Sequence, residues 1–210
     1  MRQANKYLLV FLGTVALLGL RQIQPAFSQR RDPEKKMSVR LFYVYSDQGA
    51  LENHFIPSGW MGDYADLIMD TGCKENPYAG DTCIKIVYKN YASQGARWAG
   101  IYWQDPANNW GTVPDAGYDL TGARELTFFA RGEKGGERIE QFKVGGITGP
   151  YPDSATASIG PIVLTNEWQR YTIDLSGKDL THIIGGFAWS TNLTVNPHGC
   201  TFYLDEIRFE

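Results

Sequence analysis

The residues best equipped for chemistry cluster between positions 94 and 111, where Trp98, Tyr102, Trp103 and Trp110 stand among Arg97, Gln104, Asn108 and Asn109. Read as an extended strand, successive side chains alternate between two faces. Trp98, Gly100, Tyr102 and Gln104 then share one face, and Ala99, Ile101 and Trp103 share the other. The second set suits a core. The first is a pair of flat rings on either side of a residue without a side chain, bordered by an amide. A pyranose has an apolar C–H face and a polar hydroxyl rim, so such a surface fits a sugar: a ring to lie against, and hydrogen-bonding groups at the edge. Arg97 could donate two parallel hydrogen bonds to neighbouring hydroxyls or pair with a surface carboxylate, and both readings stand. Asn108 and Asn109 sit in a Pro-Ala-Asn-Asn-Trp-Gly loop, where amides also serve simply to stabilise turns.

Signs of catalysis are sparse by comparison. Polysaccharide hydrolysis uses two carboxyl groups at a fixed separation. Asp205 and Glu206 are adjacent, so a strand would send them to opposite faces, and Glu133, Glu137 and Glu140 surround a glycine-rich turn. The three histidines, His54, His182 and His198, are scattered and have no partner motif. Neither a serine nucleophile elbow nor a Cys/His pairing occurs. The glycine-rich run from Gly145 to Pro152 lacks the strand-to-helix setting of a phosphate cradle. The chain is therefore read as a binder more readily than as an enzyme.

Composition points the same way. A net charge of −3 gives no basic patch for nucleic acid. Aromatics at 13% and 23 glycines describe short strands, many turns and exposed rings. The amino terminus has a basic start, an apolar run from Tyr7 to Leu20 and a small-x-small site at Ala26-Phe-Ser28. That run is short for a membrane span, so residues 1–28 are expected to be a removed secretory signal and 29–38 a flexible lead-in. No later segment is expected to span a bilayer, and the mature protein is expected to be a secreted monomer, extracellular or periplasmic. Export makes a disulfide plausible. Cys73 and Cys83 bracket a turn-rich loop and form the favoured pair, with a pair involving Cys200 as the alternative. No cysteine spacing suits a thiolate metal site.

After the leader, strand-like segments bounded by Gly, Pro, Asn or Asp follow one another, and helical periodicity is nearly absent. They run from Val39 to Ser46, Thr82 to Tyr91, Ala96 to Gln104, Arg124 to Arg131, Ile139 to Val144, Ile159 to Leu164, Trp168 to Leu175, Ile183 to Ser190 and Thr201 to Phe209. With no helix for a βαβ crossover, the expected fold is all-β, an antiparallel β-sandwich formed as one domain over residues 39–210.

Three of these stretches carry a resemblance. They are the closing Thr201-Phe-Tyr-Leu-Asp-Glu-Ile-Arg-Phe209, Leu126-Thr-Phe-Phe-Ala-Arg-Gly132 and Glu167-Trp-Gln-Arg-Tyr-Thr-Ile-Asp-Leu175. They are similar to galactose-binding-like jelly rolls, the fold of many carbohydrate-binding modules of bacterial glycoside hydrolases. Phe42 to Asp47, Phe55 to Asp63 and Arg97 to Gln104 look like segments of exported, mostly uncharacterised bacterial proteins of that fold. The resemblance implies a glycan site of aromatics and amides on the concave sheet or at a loop edge. Carried onto this chain, its aromatics are Trp98, Tyr102, Trp103 and Trp110, with Trp60 from the preceding loop; Arg97, Gln104 and Asn109 are the polar candidates. It also implies a structural calcium, for which Asp205 matches a carboxylate position and Asp47 would be the partner. The function expected is an exported, non-catalytic protein that holds a polysaccharide or oligosaccharide. A jelly-roll polysaccharide lyase or glycoside hydrolase is one alternative, and a cell-surface structural or interaction module the other. Against a lyase, the Gln-Ile-His triplet of such enzymes is missing.

Overall fold

The computed structural model describes residues 41–210; the leader and lead-in expected at 1–28 and 29–38, together with the start of the expected domain at Val39, lie outside them. In chain order the strands are β1 (Phe42–Tyr45), β2 (Ile56–Gly62), β3 (Leu67–Cys73), β4 (Cys83–Tyr88), β5 (Trp98–Gln104), β6 (Glu125–Gly132) and β7 (Arg138–Ile139). They continue with β8 (Gln141–Gly145), β9 (Thr156–Ile159), β10 (Ile162–Val163), β11 (Gln169–Asp174), β12 (Gly185–Asn192) and β13 (Cys200–Phe209). Among the described residues the helical element is a single turn at Tyr64–Asp66. No helix among the described residues is long and apolar enough to cross a membrane.

Two antiparallel sheets form the sandwich. One is ordered β11-β6-β13-β4-β3, with β1 also pairing β13; the other is ordered β2-β5-β12-β8-β9. The fold is the jelly roll expected from the sequence. Strand β13 is the pivot of its sheet. It pairs β4 through Cys200–Leu204 and then β1 through Ile207–Phe209, and between them Glu206 takes a positive φ of 49°. That irregularity hands one edge of β13 from one partner to the next.

Alternation in the sequence becomes the core. Ile84, Ile86 and Tyr88 of β4, Leu126, Phe128 and Ala130 of β6, and Phe202, Leu204, Ile207 and Phe209 of β13 meet Ala99, Ile101 and Trp103 of β5 and Phe187 and Trp189 of β12. Phe128, Phe142 and Phe187 stack or meet edge-on with centroids 4.6 to 5.9 Å apart, an aromatic seam between the layers.

Strands β2 and β3 were not apparent in the sequence. Pro57, Gly59 and Gly62 break the alternation of β2, and as an edge strand it tolerates them. The strand expected at Ile159 to Leu164 is divided into the end of β9 and the short β10.

The cysteines differ from expectation. Cys73 and Cys83 are cross-strand partners at the ends of β3 and β4, yet both are buried free thiols, as is Cys200. Burial raises the thiol of Cys83 to about 12, with Cys73 beside it adding to the effect. Burial likewise raises Cys200 to about 12.

Candidate glycan-binding face

Strand pairing identifies the outward side chains of the β2-β5-β12-β8-β9 sheet. Directly opposed residues share a face. Trp98 is opposite Asn192, Gly100 opposite Ser190 and Met61, and Tyr102 opposite Ala188. Across β12, Ala188 meets Lys143 and Ser190 meets Gln141; across β8, Lys143 meets Ser158. Gly100 and Ser190 are the small residues beside Trp98; Gly100 lies under the Met61 methyl, and Ala188 is buried in a cluster with Tyr102, Ala116, Ile147 and Ile184, so Ser190 is the partly open one. Trp98 and Met61 stand on one side, and Gln141, Lys143 and Ser158 on the other. Gln141 donates to the Ser158 hydroxyl at 3.1 Å. Trp98 is 40% exposed.

The second open ring belongs to a loop. Trp110 is 41% exposed and stands edge-on to Tyr102, with centroids 5.9 Å apart. Tyr102 lies four positions along β5 from Trp98, about 13 Å away, and Trp110 rests on it, so the two open indoles stand toward opposite ends of this strand and flank a trough. The loop that presents Trp110 is built by amides. Asn109 Oδ1 accepts from the backbone N–H groups of Gly111, Thr112 and Val113, and its Nδ2 donates to Asp105 O at 3.2 Å. Gln104 Nε2 donates to Asn109 O at 2.9 Å, while its Oε1 accepts from Ser58 Oγ. Gly111 has a φ of +78°, and a Cβ there would come within 2.2 Å of Thr148 O, so only glycine lets this loop close on its neighbour.

Trp98 is set by an equally ordered turn. Asp63 is fully buried; Oδ1 accepts from the N–H groups of Gln94 and Ala96, and Oδ2 from that of Arg97 at 2.6 Å. Asp63 N in turn donates to Trp98 O at 2.8 Å. A carboxylate among so many donors costs little to bury and fixes the entry of β5.

Several expected ligand contacts are therefore corrected. Trp103 is only 1% exposed and packs edge-on to Phe187 in the core. Tyr102, at 6% exposure, is a pedestal under Trp110: its hydroxyl donates to Gly145 O at 3.0 Å, and burial raises its pKa. Gln104 and Asn109 are buried braces of the loop. Trp60 is opposite Ile101, a core residue, so the pairing turns it away from Met61 and the trough; its Nε1 donates to Pro57 O at 3.3 Å. Arg97 is exposed at the strand entry, immediately before Trp98, with a φ of +61°. Trp98 remains a trough residue. Gln141, Lys143, Ser158, Ser190 and Asn192 are additions that the sequence reading missed. Their signal was present as polar residues at alternate positions of β8, β9 and β12, but only the strand order brings those alternations beside β5.

Asp47 and Asp205 do not fit a calcium ion. Asp47 Oδ1 accepts from the N–H groups of Asp81 and Thr82 and from the Thr82 hydroxyl. Asp205 Oδ2 accepts from the N–H groups of Tyr78 and Ala79, and its Oδ1 from that of Glu206. Calcium takes about six to eight oxygens, whereas three of these four carboxylate oxygens, Asp47 Oδ1 and both of Asp205, already accept from protein donors. Among the described residues no group of three or more His, Cys, Asp and Glu side chains could hold a metal. The two carboxylates instead clamp the loop at residues 74–82 to the other sheet. Burial pushes the Asp205 carboxyl up to about 7 despite its donors.

The sequence matches no protein-family model and no curated protein. Among solved structures the chain is similar to a family 30 carbohydrate-binding module, with a TM-score of 0.54 and 15% identity over 82% of this chain and 99% of that one. A second family 30 module matches with a TM-score of 0.53 and 14% identity, over 82% and 88%. The family 30 module of a cellulosomal cellulase of Clostridium thermocellum matches with a TM-score of 0.50 and 16% identity, over 82% and 98%. The jelly roll of this chain is thus the fold of carbohydrate-binding modules.

Proposed function

We propose that the protein is an exported carbohydrate-binding protein that holds a polysaccharide or oligosaccharide, without cleaving it, in the trough between Trp98 and Trp110. The observation that carries this reading is the pair of exposed indoles, Trp98 and Trp110, on the side of the sheet that faces away from the core. Glycan rings lie against the indoles, and hydroxyls meet Gln141, Ser190, Asn192 and Ser158. The fold shared with carbohydrate-binding modules is consistent with it; one fold hosts many functions, and the two open indoles carry the reading.

A binder is favoured over a hydrolase because no Asp or Glu stands among the outward strand positions of this sheet. Glycoside hydrolysis needs a carboxyl pair. Each ring and each hydroxyl contact contributes only about 1 kcal/mol, so binding is weak to moderate and accumulates along a chain.

Retention of the protein in native gels cast with soluble polysaccharides tests the proposal, with reducing-sugar release and ultraviolet absorbance of unsaturated products followed in parallel. Retardation without product release is the expected result. Product release would make the protein an enzyme, and unretarded migration on every polymer would remove the glycan reading. Export through residues 1–28 is part of the proposal; N-terminal sequencing of the protein recovered outside the cytoplasm is expected to begin at or just after Gln29.

A further inference from the structure

Among the outward positions of the trough one residue carries a charge. Lys143, in the middle of β8, stands opposite Ala188 on one side and Ser158 on the other. Its ammonium lies 5.7 Å from the centre of the Tyr102 ring, the ring on which Trp110 rests. Among the described residues no carboxylate pairs with it. Asp153, at the same corner, has both oxygens engaged: Oδ2 accepts from the N–H of Ile147, and Oδ1 from those of Ile184 and Gly185.

Gly146 makes room for this lysine. A Cβ on Gly146 would come within 2.6 Å of both Cε and Nζ of Lys143 and within 2.9 Å of Thr156 Oγ1. The ammonium therefore lies across a bare backbone, close to a hydroxyl that belongs to the next strand. An ammonium is a strongly hydrated point charge with no acceptor capacity, whereas neutral hydroxyls are met equally well by the amides and hydroxyls that line the rest of the trough. A half-buried ammonium that meets the Tyr102 ring but no carboxylate, across β12 from that aromatic shelf and close to the Thr156 hydroxyl, matches a sugar that bears a carboxylate.

We infer that the trough selects glycans containing uronic acid units, with the uronate carboxylate held by Lys143 Nζ and Thr156 Oγ1 while the sugar ring lies toward Trp110. This rests on the glycan reading above and adds the ligand's charge to it. Because the contact is ionic and partly open to solvent, it weakens as salt rises.

Titration calorimetry separates the two ideas, using a polyuronate such as polygalacturonate and a neutral β-glucan, each at low and high salt, on the wild-type protein, Lys143→Gln and Lys143→Arg. The expected result is tighter binding of the polyuronate, weakened by salt, with Lys143→Gln reducing that affinity about tenfold. Lys143→Arg retains most of the affinity, and the melting temperatures of all three proteins agree within a few degrees. Neutral glucan bound as tightly as polyuronate, or loss of affinity shared equally between the two polymers on Lys143→Gln, would overturn the uronate inference and leave the glycan reading intact. Binding of neither polymer would overturn the uronate inference, and together with unretarded migration in every polysaccharide gel it would overturn the glycan reading as well.

Discussion

At the scale of single residues, the two open indoles differ in what holds them. Trp98 sits on a strand, so removing its ring takes away ligand area and little else. Trp98→Ala is expected to lose gel retardation while the melting temperature stays within a few degrees, measured by affinity electrophoresis alongside thermal unfolding. Asn109→Ala touches no ligand in this account, but it leaves three N–H groups of the Trp110 turn without their acceptor. The expected outcome is a loss of retardation together with a destabilisation of about 2 kcal/mol, read from urea unfolding. If Asn109→Ala binds as well as the wild type, Trp110 is not part of the trough. Asp205 gives a prediction in pH. Its folded carboxyl titrates at about 7, above the ordinary carboxylate value of 3.8. Between those values the folded state binds more protons than the unfolded one, so this group makes stability fall as pH rises from about 4 to 7 and level off above. The melting temperature at pH 5 minus that at pH 8 is expected to shrink in Asp205→Asn; an unchanged difference contradicts the assignment.

At the scale of elements, the site depends on two braced turns rather than on β5 alone. The entry turn hangs on Asp63, and its three backbone donors become orphans in Asp63→Ala. That variant is expected to lose about 3 kcal/mol or more of stability in denaturant unfolding. The face of β5 was legible in the sequence because a half-buried strand alternates: Ala99, Ile101 and Trp103 do fill the core. What alternation leaves open is how deep an outward side chain lies once a loop folds over it. Tyr102 and Gln104 point outward, yet residues 105–117 and 145–154 cover them, and nothing in their own spacing announces that cover. Trp60 was misplaced for a related reason, since Pro57 and Gly59 concealed β2 and with it the pairing that decides which way the indole turns. The outward residues of β8 and β12 were invisible as a site, because neighbours in a jelly roll are far apart in sequence.

At the scale of the whole molecule, the two sheets have different tasks. The β2-β5-β12-β8-β9 sheet leaves its outer face open between two turns. The other sheet is covered by residues 74–82, strapped down by Asp47 and Asp205, by Tyr78 stacked on Phe129 at 3.5 Å, and by Arg131 lying 3.6 Å over Tyr203 while donating to Glu75 O. Protein donors hold the strap through Asp47 Oδ1 and both oxygens of Asp205. Chelator treatment is therefore expected to leave the melting temperature unchanged, whereas a drop of several degrees that calcium restores would return Asp47 and Asp205 to a metal role.

The proposed glycan site depends above all on the indoles of the open face. Titrating a retained polysaccharide into the protein while following tryptophan fluorescence, for the wild type and for a protein carrying both Trp98→Ala and Trp110→Ala, addresses that most directly. A saturable spectral change in the wild type that is absent from the doubly substituted, still folded protein is the predicted result. An equal response from the remaining tryptophans, with affinity undiminished, would place the glycan elsewhere on the molecule.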